Sequence, residues 1–241
     1  MALFDISESI NITNAKRLVK DIKDICKNHL HDEGIYYIHD SENMLKGYAM
    51  IIGPLYGLYA NGIYFFKFNY PHDYPFSPPV VEYCTNDGTT RFNPNLYRQG
   101  KVCLSILNTW EGDSWTSCQS IRTVLLQLLL LFHDKPLLNE PGVTINHKDF
   151  KKYHSIIEYK NIHHSIYSQI KYKRPLLFAT LFKNDISKHL KKSMDDILKK
   201  CEIMASEHPG AINVYTGLYN MKVTINYPDL LIKLKSLKHD F

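Results

Sequence analysis

An α+β fold is predicted for this 241-residue chain: an N-terminal helix, an antiparallel meander, a long loop-rich region and then helices. Three observations carry that expectation. Apolar residues recur at helical spacing near the start. Short β-branched and aromatic runs follow, divided by turn residues, and the stretch from Val124 to Phe132 opens a second half whose periodicity is helical again. The strand runs stand too close together for helical crossovers, which argues against a parallel sheet.

In chain order, Ala15, Leu18, Val19, Ile22, Ile25 and Cys26 form an apolar stripe opposite Lys16, Arg17, Lys20 and Lys23, so residues 13–29 read as an amphipathic helix. Tyr48–Ile52, Ile63–Asn69 and Val80–Tyr83 read as strands, separated by Gly53-Pro54, Asn61-Gly62 and the run Tyr74-Pro75-Phe76-Ser77-Pro78-Pro79. An aromatic–proline bond such as Tyr74-Pro75 is where a cis peptide costs least. Residues 85–120 show no regular period, and a loop of that length points to function. Ser120 then caps Ile121–Phe132, which is apolar on almost every face and reads as a deeply buried helix. After the break at Asn139-Glu140-Pro141-Gly142, helices are expected over Phe150–Lys173, Leu176–Leu181, Ile186–Ala205 and, beyond Pro209-Gly210, Pro228–Leu237.

With 44% hydrophobic and 22% charged residues, the chain is neither disordered nor collagen-like, and its length suits one large domain or a medium domain with an appendage. Five cysteines, Cys26, Cys84, Cys103, Cys118 and Cys201, form no C-x-x-C pair; reduced thiols in a cytoplasmic or nuclear setting are expected. The first eight residues carry acids where a signal peptide has Lys or Arg. The longest greasy run is broken by Gln127 and falls short of the ~20 residues a membrane span needs, so no membrane association is expected. Net charge is +5 overall, but residues 146–241 hold 17 Lys and Arg against 9 Asp and Glu. That surplus reads as a solvated helical surface or a dock for an acidic partner. No aromatic interleaving supports nucleic-acid binding.

Chemistry concentrates between Arg91 and Leu107, where Cys103 follows a polar, turn-rich loop containing Asn93-Pro94-Asn95. A single cysteine in apolar surroundings is often inert. An asparagine amide beside a thiol, however, has the means to donate to a developing oxyanion. No histidine lies within ten residues of Cys103, so the local sequence provides no papain-style base. His154, His163 and His164, like His29 and His31, lack the cysteine or carboxylate pattern that would complete a metal site, and no glycine-rich phosphate loop is present. Neither metal nor cofactor is expected.

The order Gly53-Pro54, Tyr74-Pro75-Phe76-x-Pro78-Pro79, Phe92-Asn93-Pro94-Asn95, Gly100-Lys101-Val102-Cys103-Leu104-Ser105-Ile106-Leu107 and Trp115 closely resembles the ubiquitin-conjugating enzymes, the E2 class, over residues 8–145. Asn108-Thr109-Trp110-Glu111-Gly112 and Asn139-Glu140-Pro141-Gly142 resemble the large members with extra C-terminal sequence; compact members have a shorter loop after the cysteine. The resemblance implies a UBC-like α+β fold with an N-terminal helix, a four-stranded antiparallel meander, an active-site loop and C-terminal helices. Residues 8–145 would form this conjugating core, and residues 146–241 a basic, mainly helical extension.

By the same resemblance, Cys103 is the nucleophile that accepts ubiquitin, or a ubiquitin-like protein, as a thioester from an activating enzyme. It then passes the acyl group to a substrate lysine or a ligase; any need for ATP lies with the activating partner. Asn95 matches the last residue of the family's His-Pro-Asn motif, as an oxyanion donor or a brace for the loop. Asn93 stands where that motif has histidine. Asn139 and Glu140 fall where the family keeps a gate for the incoming lysine. Lys16, Arg17, Lys20 and Lys23 match the face that docks on the activating enzyme; Phe76, Trp115, Thr116 and Ser117 match the loops that ligases grip. Cys118 is expected to serve packing. The rival readings are a non-catalytic ubiquitin-binding variant, which would lack the cysteine, and an adaptor with a residual conjugating domain.

Overall fold

The computed structural model describes residues 12–237; the expected boundaries at residues 8 and 241 lie outside the described residues. Helix α1 (Ile12–Lys27) buries Leu18 and Ile25 and leaves Lys16, Lys20 and Lys23 exposed, as its stripe requires. Four strands follow in sequential antiparallel order: β1 (Ile35–His39), β2 (Lys46–Ile52), β3 (Ile63–Asn69) and β4 (Val80–Tyr83). β1 completes the expected four-stranded meander, in a stretch where the sequence alone marks no strand. The Tyr74–Pro75 peptide is cis.

Side chains alternate across β3, and both faces are covered. On one side Tyr64 stacks on Phe132 with ring centroids 4.2 Å apart, and Phe66 meets Phe132 and Tyr83. On the other, Phe65 stacks on Phe178 at 4.9 Å and lies 6.2 Å from Phe182, while Tyr48 meets Phe178 edge-on. Period-two alternation places Met50 and Phe65, paired across β2 and β3, on that second face. Phe178 and Phe182 belong to the stretch after residue 145, so one hydrophobic cluster crosses the expected boundary.

Helix α2 spans Ile121–Leu129 and is shorter and less enclosed than expected: Leu126 is 38% exposed and Leu130 65%. The chain turns at Leu130, so the apolar run continues as a loop that returns Phe132 to the sheet. Beyond it lie α3 (Phe150–Lys160), a π-helical segment Asn161–Ser168, α4 (Gln169–Tyr172), α5 (Leu176–Leu181), α6 (Lys183–Glu207) and α7 (Tyr227–Ser236). The π segment starts at buried Asn161, whose side chain donates to Ala60 C=O at 2.9 Å and accepts from Tyr64 OH at 2.5 Å. Gly62 permits this approach, because a Cβ there would lie 2.0 Å from the Asn161 Oδ1. The wider turn of a π-helix suits an inserted side chain of this kind.

The mainly helical extension also contains a hairpin that the sequence reading missed, β5 (Ile212–Thr216) paired antiparallel with β6 (Met221–Ile225). Its signal was present, since Met221, Val223 and Ile225 are buried and Lys222 and Thr224 exposed. The short strands lay between two proline-flanked breaks and read as loop.

Asp87, in the loop after β4, ties this loop to the end of α3. Its carboxylate accepts from Lys160 Nζ at 2.7 Å and from the backbone N–H groups of Thr89 and Thr90 at 3.0 and 2.6 Å. Burial works to raise its pKa, but the Lys160 charge and these donors outweigh it and hold the carboxyl far below the usual carboxylate range. A depressed folded value stabilises the fold above the unfolded value and is lost as pH falls. Asp87→Asn is therefore expected to destabilise the protein by about 3 kcal/mol at pH 7, the scale of a broken buried pair. In denaturant titrations the gap from wild type should shrink progressively below pH ~4; a pH-independent gap would refute the assignment.

Candidate active site

Between β4 and α2 the backbone is held by polar contacts more than by regular structure. Phe92 anchors its start: the ring is fully buried and its C=O accepts from Tyr59 OH at 2.5 Å. Asn93, also fully buried, donates through Nδ2 to Leu131 C=O at 2.8 Å and accepts through Oδ1 from the backbone N–H of Asn95 at 2.8 Å. An asparagine amide offers both a donor and an acceptor, and here each has a partner, so Asn93 joins the loop to the end of the α2 turn.

Asn95 grips Cys103 from both sides. Its C=O accepts from Cys103 N–H at 2.9 Å, and its Nδ2 donates to Cys103 C=O at 2.7 Å. Its Oδ1 accepts from Asn139 Nδ2 at 2.9 Å, and Asn139 Oδ1 pairs with His133 Nε2 at 3.2 Å. The amide has a second N–H besides the one spent on Cys103. Cys103 itself is 1% exposed, so a thiol in this position must be uncovered before it meets a bulky acyl donor.

Gly100 closes the turn between Asn95 and Cys103 at φ +93°, where a Cβ would press on the Glu82 side chain at 2.9 Å; glycine meets both demands. After Cys103, Thr109 Oγ1 donates to Val102 C=O at 2.9 Å and accepts from Leu104 N–H at 3.0 Å, folding the longer loop back on the segment that carries the cysteine. Trp115 is buried, with its indole N–H on Pro75 C=O at 2.7 Å.

The remaining expected residues fall in two groups. Phe76 is 70% exposed, and Thr116 and Ser117 are also exposed, beside the buried Trp115. Arg17 differs from its lysine neighbours: it pairs with Asp21 at 3.0 Å and donates to Ser117 C=O and Gln119 C=O at 2.5 and 2.6 Å. It thus braces the Ser117 loop against α1, and the exposed cationic face is that of Lys16, Lys20 and Lys23. Cys118 is exposed, which corrects the expectation that it serves packing; its loop lies over the surface beside Arg17.

Several neighbours were not legible in the sequence. Arg91 lies 3.3 Å over the Tyr97 ring and 5.1 Å from that of Tyr219, and donates to Asn93 C=O and Pro94 C=O at 3.2 and 2.6 Å. Tyr219 OH donates to Glu140 Oε2 at 2.5 Å, and the guanidinium of Arg98 donates to Tyr219 C=O. Long sequence separation hid these contacts, since no local pattern links residue 219 to residues 91–98. Among the described residues, no group of three or more His, Cys, Asp or Glu side chains is arranged to hold a metal, and no helix is long and apolar enough to cross a membrane.

The ubiquitin-conjugating enzyme family model matches residues 17–167. Human ubiquitin-conjugating enzyme E2 Z is 39% identical over 162 residues, covering 66% of this chain and 45% of that protein. The probable ubiquitin-conjugating enzyme protein 17 of Caenorhabditis elegans is 36% identical over 201 residues, covering 78% of this chain and 27% of that one. Human BIRC6, named as a dual E2 ubiquitin-conjugating enzyme and E3 ubiquitin-protein ligase, is 35% identical over 175 residues, 68% of this chain and 4% of its own. The chain thus spans less than half the length of these curated relatives. With most of the N-terminal helix, the whole meander and the cysteine loop inside the matched region, the chain belongs to the ubiquitin-conjugating enzyme family.

Proposed function

We propose that the protein is an active E2: Cys103 accepts the C-terminal carboxyl group of ubiquitin as a thioester from an activating enzyme and passes it to a lysine or a ligase cysteine. The observation that carries this reading is the two-sided hold of Asn95 on Cys103, with Asn139 bonded behind it. A merely structural cysteine has no need of such a polar brace in a buried loop. The relatives' names favour ubiquitin over a related modifier, and the free cysteines suit a reducing cytoplasmic or nuclear setting.

The chemistry asks little of the protein beyond position. A thiolate exchanges readily with an activated thioester, and a deprotonated amine held at the carbonyl completes the transfer. Asn95 fixes the backbone of the nucleophile and keeps one N–H for an oxyanion. Glu140 and Asn139 stand as the gate that receives the lysine. Lys16, Lys20 and Lys23 form the face offered to the activating enzyme, while Phe76 with the Trp115–Ser117 loop is offered to a ligase. Phe76 suits an anchor because it is large, apolar and exposed.

Incubation with an activating enzyme, ATP and ubiquitin should give a reductant-labile adduct, and Cys103→Ser should trap a reductant-resistant ester. Cys118→Ser should charge as wild type; equal loss in both variants, or no adduct from wild type, overturns the assignment.

For Asn95→Ala, charging is expected to change little while single-turnover discharge to lysine slows by about 10²-fold, as when one oxyanion donor is removed. Equal slowing of both steps would reduce Asn95 to a loop brace.

A further inference from the structure

We propose that Tyr219, carried by the β5–β6 turn, is a positioning residue for the lysine acceptor: it holds the Glu140 carboxylate by one oxygen and leaves the other for an incoming ammonium. The C-terminal part would thereby serve discharge of the thioester and not its formation. This rests on the reading of Cys103 as acceptor and Glu140 as gate given above.

The turn is aimed at the cysteine loop by several independent contacts. Leu218 N–H donates to Asp149 Oδ2 at 2.9 Å, Tyr219 C=O accepts from Arg98, and Tyr219 OH donates to Glu140 Oε2 at 2.5 Å. Its ring lies 6.0 Å from that of Tyr153, whose OH donates to Arg91 C=O at 2.9 Å. From Glu140 the path back to the nucleophile is short: the next residue, Asn139, donates to Asn95, which donates to Cys103. On the other flank Arg91 packs between the Tyr97 and Tyr219 rings and donates to Asn93 and Pro94. Tyr219 therefore touches the loop that carries Cys103 at Arg91 and Arg98, and Glu140 beyond it.

The backbone of the turn is unusual in the same place. Tyr219 and Asn220 have φ of +61° and +48°, and a bulky aromatic residue in the left-handed region is an outlier. Such conformations persist where surrounding contacts over-determine them, and they cluster at working sites. Of the two strands β6 is packed on the core through Met221, Val223 and Ile225, whereas β5 is outward, with Ile212 46% and Tyr215 53% exposed. Burial, reinforced by the Glu140 carboxylate, keeps the Tyr219 hydroxyl protonated far above its usual range, so it remains a donor.

The step it would serve balances simply. The lysine ammonium gives one proton to Glu140, and the neutral amine attacks the thioester carbonyl. The C–N bond forms, and the C–S bond breaks with its electron pair on Cys103 Sγ. The second amine proton leaves to solvent as the amide forms.

The test uses the full chain, charged with ubiquitin and then separated from activating enzyme and ATP. Single-turnover discharge is followed with free lysine and, separately, with 2-mercaptoethanesulfonate, a thiol carrying no amine. Tyr219→Phe is expected to charge normally, to discharge to the thiol as wild type, and to discharge to lysine about tenfold more slowly, the low end for a lost hydrogen bond to a charged group. Tyr219→Phe combined with Glu140→Gln should be no slower than Glu140→Gln alone, because the two residues act as one unit. Equal slowing with both acceptors, wild-type rates with lysine, or multiplicative loss in the double variant would overturn the proposal while leaving Cys103 as the nucleophile. A wild type that never charges overturns the proposed function and this inference with it.

Discussion

Phe65 stands on the opposite side of β3 from Tyr64 and Phe66, and this second apolar face obliges the chain to continue past the cysteine loop. A four-stranded antiparallel sheet can leave one face to water, but Tyr48, Met50 and Phe65 here would put a large apolar patch in solvent. Phe178 and Phe182 close over it. Burying one such ring is worth roughly 2–3 kcal/mol, so covering this face is comparable to a good part of a domain's net stability. The extension is then a second cover for the same sheet, and the polar ties of Asp87 to Lys160 and of Asn161 to Ala60 and Tyr64 fix its register.

Once α3 to α7 are placed by that requirement, the position of the hairpin follows. The backbone leaving α6 must return to start α7, and β5–β6 is the return. Its turn reaches Asp149 at the start of α3 and meets Arg91, Arg98 and Glu140. A constraint on the buried face of the sheet is thus passed to the cysteine loop by close packing of the helices and by the hydrogen bonds of the turn.

The cysteine loop was legible because its chemistry is local. The motif from Phe92 to Leu107, through its resemblance to the ubiquitin-conjugating enzymes, singled out Cys103 and Asn95 as candidates, and the strands Ile63–Asn69 and Val80–Tyr83 were bounded by their own turn residues. What escaped was set by distant residues. The exposure of Leu126 and Leu130 depends on where the chain turns after α2. The bracing role of Arg17 depends on carbonyls a hundred positions away, and the exposure of Cys118 depends on that same loop. The hairpin carried the correct alternation, but its strands are five residues each, and short runs between breaks look like loop until a partner strand is known.

The replacement of the motif histidine by Asn93 shows how the loop tolerates a change that looks severe in sequence. Imidazole could join Leu131 C=O to Asn95 N–H only by donating with one ring nitrogen and accepting with the other. The primary amide does so with atoms closer together, and it carries no charge that varies near neutral pH. The hydrogen bonds that Asn93 makes to Leu131 and Asn95 then keep a fixed state, while Asn95 sits at the centre of the same chain of amides, through Asn139, which pairs in turn with His133. Every polar atom in that chain that leaves water finds a partner, which is the condition under which a buried polar network specifies one conformation instead of many. The loop can therefore hold Cys103 in one place through the uncharged amides of Asn93 and Asn95, while the ionisable groups His133 and Glu140 meet that chain only at its far end, at and beside Asn139, where Tyr219 reaches Glu140.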